Sequence, residues 1–490
     1  MGIIQRQSIK NFFTSYVGVL IGFVNVLVVQ PRFLTPEELG LTRVLYSFAL
    51  LLSTFVPMGT ANIIIRYFPH FRNPEKKHHG FFGFIILATF IGFVVISIFL
   101  LAGKSLIIGQ YLEKSKLFTD FFYFVFPLIF FLTFITQLNL YCFSLYKTTV
   151  PVFLNDVVSR LLVIGLVSVY FLKWITLTLF ITAFVGVYAL QVLLIIIYIY
   201  YEEIPGFKID LPKFKNVGWN NMFGYAAVVW FASVASTGLK ELSTVILGSK
   251  ITLDQVGIYV VAAFIPTLIE IPLNAIDKIA TFNISTAIKN KDISIVSDIY
   301  KRSAKYLLLI GGWLFLIINA NCESLFQFLP EKYRNGNEVV LILSFGTLLN
   351  MATGLNSQIL FYSEKFFYGA ITMIVAVMVN IFLLLWLIPV YGVMGAAMAT
   401  ALSAIFMNTI NTFFVWKFYH THPFDGGTLI AVILIASIAF IDWLLPHFAN
   451  HFIDIAFHSC TITISFGFIV YWSKLLPEVN NFISEKLRKK

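Results

Sequence analysis

The sequence predicts an all-α polytopic membrane protein of about 14 transmembrane helices, built as two six-helix halves related by a pseudo-two-fold axis plus two C-terminal helices. Three observations carry that prediction. Of the 490 residues, 59% are hydrophobic and 12% charged, about half the ~25% charged share of a soluble domain, so the apolar surface needs lipid as its solvent. Apolar runs of the length that crosses a ~30 Å hydrocarbon core as a helix recur along the whole chain, and only internally hydrogen-bonded helices of this kind satisfy the backbone there. A short motif also repeats in a constant register.

The runs fall at 11–31, 42–66, 80–102, 120–143, 150–171, 175–200, 218–247, 253–282, 303–320, 338–361, 366–388, 392–416, 427–445 and 452–473. The first ten residues carry Arg6 and Lys10 and lead into the first span without an A-x-A-like site, which reads as an uncleaved span with a cytoplasmic N-terminus. An even number of spans puts both termini on one side. On that assignment 22 of the 34 Lys and Arg residues are cytoplasmic, among them Lys208, Lys213 and Lys215 and the tail Lys486-Arg488-Lys489-Lys490. Nine lie on the other face and three, Arg160, Lys240 and Lys278, lie within spans. The positive-inside rule therefore places both termini in the cytoplasm.

The repeat is Leu34-Thr35-Pro36-Glu37-Glu38-Leu39-Gly40-Leu41 against Ile251-Thr252-Leu253-Asp254-Gln255-Val256-Gly257-Ile258, an offset of 217 residues. The same offset lays span two on span eight and spans five and six on eleven and twelve. Residues 1–210 and 218–425 thus read as six-helix halves of the same orientation, with a substrate path between them. Residues 426–490 add two spans and a basic tail. Gly40 and Gly257 read as turn formers at the start of their spans.

The stretch Ile246-Leu247-Gly248 to Gly257-Ile258-Tyr259 resembles a turn found in polysaccharide-biosynthesis flippases, the O-antigen or Wzx-type family. Asn380 followed by Ile388-Pro389-Val390-Tyr391-Gly392 and Gly395-Ala396-Ala397-Met398-Ala399-Thr400 is similar to a second stretch of that family. Pro389 and Gly392 punctuate a short hairpin, and the small residues after it permit close helix approach. With the 6+6+2 arrangement, the resemblance spans nearly the whole chain. It implies a flippase of the bacterial inner membrane, with undecaprenyl-pyrophosphate-linked oligosaccharide as substrate and polysaccharide polymerase and other assembly proteins as partners. Members of the family carry an acid followed by a base late in span seven; here the order is Lys240-Glu241.

Candidate site residues are the ionisable groups within spans, which cost ~3–15 kcal/mol at the bilayer centre and are kept for a reason. Arg160 sits ten residues, or ~15 Å, into its helix, too deep to snorkel easily. Asp156 stands four residues before it, where a structural ion pair is the alternative to substrate contact. Lys240 is the second cation, with snorkelling as its alternative. Arg43 and Arg66 end span two, as interface anchors or as members of a vestibule. Arg160, Lys240, Arg43 and Arg66 are therefore the substrate-binding candidates. Glu241, Glu270 beside Pro272, and Asp156 are the candidates for coupling to a proton or sodium gradient. Asn350, Thr353, Gly354 and Ser357 share one face of span ten and read as interhelical hydrogen-bonding glue.

Signals for other classes are missing. Cys142, Cys322 and Cys460 have neither disulfide nor zinc spacing, and basic residues in short loops set topology rather than bind nucleic acid. Gly103-Lys104-Ser105 lacks the first glycine of a P-loop. His78-His79, His420/His422 and His447/His451 read as solvated, so no metal or cofactor is expected. A multidrug exporter of the same superfamily is the competing transporter. A membrane glycosyltransferase or polymerase would need catalytic acids on a sizeable loop, and no loop here is long enough.

Overall fold

In a computed structural model that describes residues 3–475, the chain is helical throughout, with no strand among those residues. The basic tail and the side chains of Arg6 and Lys278 lie outside what is described. Among the described residues, ten helices are long and apolar enough to cross a membrane, and an eleventh span is added if the bent pair Leu253–Leu268 and Ile271–Asp277 counts as one. Phe99, Leu106, Ile464 and Phe468 are each at least 64% exposed, which only a lipid solvent tolerates in such numbers. Trp174, Trp443 and Trp472 stand exposed at helix ends, where the indole suits the membrane interface. The protein is multi-pass.

The departures from the expected spans have local causes. Span two is divided into Pro36–Ser53 and Thr60–Phe71, because Pro57 and Gly59, the latter at φ +89°, interrupt the helical ladder. The first piece starts at a capping box in which Thr35 and Glu38 each accept the other's backbone N–H. Span nine begins at Ile293 rather than 303: Asp292 caps its first turn, and Val296, Tyr300 and Ala304 turn inward. Span eight breaks as Pro272 requires, and Pro266 adds a 3₁₀ turn, leaving a 50° bend at residues 269–270.

Spans eleven and twelve form one helical stretch, Phe366–Tyr419, interrupted at Gly392 (φ 55°, ψ −129°). A straight helix would separate Asn380 from Ser403 by ~35 Å. Instead the Asn380 amide donates to Ser403 Oγ at 2.9 Å, so the chain folds back at Gly392. The hairpin expected from Pro389 and Gly392 is there.

By its contacts the chain divides into Met1–Gly257 and Ile258–Lys490. In the first unit, helix Ile3–Phe23 and the 149–171 span run parallel, as two odd-numbered spans must. Asn11 donates to Thr148 and Ser15 to Asp156, and Gly18 and Gly22 face Asp156 and Arg160 in turn. Helix Trp219–Lys250 joins this unit through Trp230 Nε1, which donates to the Thr54 carbonyl at 2.9 Å where span two breaks. The repeated motifs meet here. Gly40 lies on the backbone of Leu253 and Gly257, and Gly257 lies on the backbone of Pro36. Under the 217-residue offset these contacts map onto each other, the reciprocity of an isologous contact. Both glycines are helical, which corrects the reading of them as turn formers. Each is small so that two backbones can touch.

In the second unit the polar face of span ten meets span twelve. Asn408 donates to Asn350 Oδ1 at 2.9 Å, Thr353 and Asn356 donate to Asn408 Oδ1, and Asn411 donates to Ser357. These are the interhelical bonds expected of that face. The last two helices, Gly426–Trp443 and His451–Trp472, pack on Ile293–Ala320 through Leu308, Leu434, Ile438, Ile462 and Phe466.

Candidate functional site

Two helices of the first unit loosen into π-helical turns, Val24–Val29 and Leu154–Val158. Such turns insert a residue into the i→i−4 ladder and frequently mark functional positions. Between them and the spans around them lies a cavity of about 250 Å³. Asn25 and Asn155 reach it from the two π turns, and Gln30, Thr42, Tyr46, Tyr188 and Gln191 line the rest. Its cations are Arg43 and Arg160.

The two guanidiniums are held by neutral acceptors. Arg43 Nη2 donates to Gln30 Oε1 at 3.1 Å, and Arg160 Nη1 donates to the carbonyl of Gly18. Gln191 Nε2 donates to Asn155 Oδ1 at 3.0 Å, tying the wall together. Asn25 Oδ1 is buried without a protein partner. Each guanidinium presents five donors in a planar fork, so the bonds to Gln30 and Gly18 leave donors free for an anion.

Glu241 of helix Trp219–Lys250 approaches from the side. Its carboxylate lies near Ser47 and interacts electrostatically with Arg43. Arg43 in turn feels both Glu241 and Arg160. The charged side chains that line the cavity itself are Arg43 and Arg160, an arrangement that suits an anionic guest.

The structure brings together Arg43, Arg160 and Glu241 from the sequence candidates. The Asp156–Arg160 ion pair, the alternative to substrate contact, is not formed: Asp156 accepts from Ser15 at 2.8 Å, while Arg160 turns to Gly18. Asp156 lies within the π turn and Arg160 in the α-helix that follows it. Lys240 is exposed and is not among the cavity residues. Arg66 is exposed with its guanidinium 4.1 Å over the Tyr225 ring, a cation–π contact that suits an anchor. Glu270 sits at the bend between Leu268 and Ile271 in the second unit. The residues missed in the sequence are Asn25, Gln30, Tyr46, Asn155, Tyr188 and Gln191. Asn25 and Gln191 are single polar positions within apolar runs, and Asn155 stands beside Asp156; polar residues of this kind in a span are the signal that would have found them.

Gly22 tests the geometry without touching a charge. A Cβ there would fall on the Arg160 guanidinium, 3.1 Å from Cζ and closer still to Nη1. Gly22→Ala is expected to displace that tip and lower transport about tenfold, the loss of one charge-assisted hydrogen bond. Thermal stability should stay unchanged, because a flexible side chain yields.

A profile of the family described as polysaccharide biosynthesis protein matches residues 6–289. Among solved structures, the chain is similar to the lipid II flippase MurJ in an inward closed conformation, with 15% identity, 96% of this chain and 99% of that one covered, and a TM-score of 0.71. It is also similar to an inward-facing multidrug resistance MATE family transporter of the MOP superfamily, with 13% identity, coverage of 86% and 95%, and a TM-score of 0.64. A third is a MOP superfamily transporter from Pyrococcus furiosus noted for the reverse polarity of its binding pocket, with 14% identity, coverage of 89% and 96%, and a TM-score of 0.56. At these identities the shared feature is the fold. No curated protein matches the sequence.

Proposed function

The chain belongs to the polysaccharide biosynthesis protein family, and on that premise we propose that it is a flippase. Its cargo is lipid-linked oligosaccharide, as undecaprenyl-pyrophosphate-linked repeat units, and it moves this across the bacterial inner membrane by alternating access. The observation that supports the reading best is the convergence of Arg43 and Arg160 on one cavity inside an apolar helix bundle. Stripping water from a multiply charged diphosphate inside a membrane protein is prohibitive unless cations replace it. The cavity measures about 250 Å³. That suits a phosphate-sized head group and is too small for the glycan or the polyprenyl tail. The head group is thus held by the guanidiniums while sugar and lipid lie elsewhere.

Glu241, facing Arg43, is the proposed coupling carboxylate. Proton or sodium uptake there would change the countercharge that Arg43 feels and so its hold on the diphosphate. Glu241→Gln, a mimic of the protonated carboxyl, is expected to tighten head-group binding and to make flipping independent of the ion gradient, measured in vesicles with and without an imposed gradient. The reading as a whole is tested by deleting the gene. Lipid-linked repeat units should accumulate and surface polysaccharide should disappear. Normal surface glycan with altered drug tolerance would support the multidrug exporter instead.

A further inference from the structure

Residues 444–450 join the last two helices, and at that end of the bundle a group of ionisable side chains converges that the transport site does not use. The side chains of Asp454 and His458 are 3% and 0% exposed. His458 Nδ1 meets Asp442 Oδ1 at 2.7 Å. Its other ring nitrogen, Nε2, is buried without a hydrogen-bond partner and lies 3.6 Å from Asp454 Oδ1. His447 Nδ1 lies 3.4 Å from the same carboxylate. Asp454 is itself held by the backbone N–H of Phe448 at 2.8 Å and the hydroxyl of Ser324 at 2.7 Å. The ligand atoms of His447, Asp454 and His458 all lie within 4.8 Å of one another.

A carboxylate behind one imidazole nitrogen fixes the proton there and leaves the other nitrogen as a lone-pair donor, the usual support of a metal-bound histidine. The tautomer follows here from the Asp442 contact. A buried ring nitrogen with no partner costs ~1–3 kcal/mol, and a cation between it and Asp454 removes that cost. Four-coordinate zinc with ligand bonds of ~2.0–2.1 Å sets neighbouring ligand atoms about 3.4 Å apart. The separations of 3.4 and 3.6 Å from Asp454 to the two imidazoles match that spacing. Two imidazoles beside one carboxylate select zinc-like metals over calcium or magnesium, which take shells of oxygen.

We propose that His447, Asp454 and His458 bind one divalent transition-metal ion, Zn²⁺ foremost, with Asp442 orienting His458 and a fourth position open to water. The ion would fasten the 444–450 connection to the last two helices and, through Ser324, to helix Cys322–Gln327. Neither its ligands nor its test depends on the cargo proposed above. The sequence conceals the site because His458 lies inside an apolar run.

The test uses full-length protein without a polyhistidine tag, purified in detergent and dialysed against Zn²⁺. Elemental analysis should find one ion per chain, Co²⁺ should give the visible absorption of a four-coordinate complex, and Zn²⁺ should raise Tm. His447→Ala changes a side chain that is 58% exposed, so the fold survives, and Zn²⁺ affinity is expected to fall at least tenfold with loss of the Tm shift. Asp442→Asn should weaken binding about 10–100-fold, as changes behind metal ligands do. Absence of saturable binding, or equal binding and equal Tm shifts in wild type and His447→Ala, overturns the proposal. Either outcome would leave the cluster a hydrogen-bonded tie between the last two helices.

Discussion

Arg160→Ala is expected to lower transport about a hundredfold while the amount of protein in the membrane stays near wild type. The guanidinium holds one backbone carbonyl, that of Gly18, and its remaining donors face the cavity. Two charge-assisted hydrogen bonds to a diphosphate contribute together about 3 kcal/mol or more, and every 1.4 kcal/mol is tenfold. Arg160→Lys should keep roughly a tenth of the activity, because an ammonium supplies the charge without the planar fork. Abundance is the control that separates cargo binding from folding. Since Asp156 is bonded to Ser15 and not to Arg160, the alanine variant strands no buried carboxylate. A large fall in abundance would assign Arg160 to the fold. The assay is flipping by purified protein alongside quantitative immunoblotting of membranes.

The second large effect concerns the repeat. Gly40→Ala places a methyl group on the Leu253 carbonyl, and Gly257→Ala places one on the Pro36 carbonyl. Backbone cannot step aside as a side chain can, so each substitution should cost about 3 kcal/mol, the upper part of the usual overpacking range. Thermal unfolding of the purified protein should show a clear loss of Tm for each. The reciprocal geometry adds a sharper expectation. Both clashes act on the same pair of helices, Pro36–Ser53 and Leu253–Phe264, so a single separation relieves both. The double variant should lose less than the sum of the single losses, as coupled neighbours do. Full additivity would mean that the two contacts are independent.

Much of the fold was legible because hydrophobic length is written directly in the sequence. The hairpin at Gly392 and the bend near Pro272 were legible for the same reason, since Pro and Gly act on the backbone locally. The break at residues 54–59 was missed because Val56, buried in the break, and its apolar neighbours continue the hydrophobic run through Pro57 and Gly59. The start of span nine was missed because its first turns carry Asp298, Lys301 and Arg302 on the outward face.

The site was legible only in part. Arg160 could be placed by its depth. Arg43 lies near the mouth of its span in sequence, and only the fold turns it into the cavity beside Gln30. The π turns that open the cavity leave no periodic signature, because one inserted residue does not disturb an unbroken apolar run.

The most direct measurement is flipping by the purified protein in liposomes that contain an undecaprenyl-pyrophosphate-linked oligosaccharide, with accessibility of the glycan to an externally added enzyme as the readout. Wild type should move the glycan across the bilayer, and Arg43→Ala and Arg160→Ala should be slow, while a polyprenyl-linked sugar lacking the diphosphate should be moved poorly by all three. Equal rates in wild type and both arginine variants, or indifference to the diphosphate, would contradict a cavity that works by gripping an anionic head group.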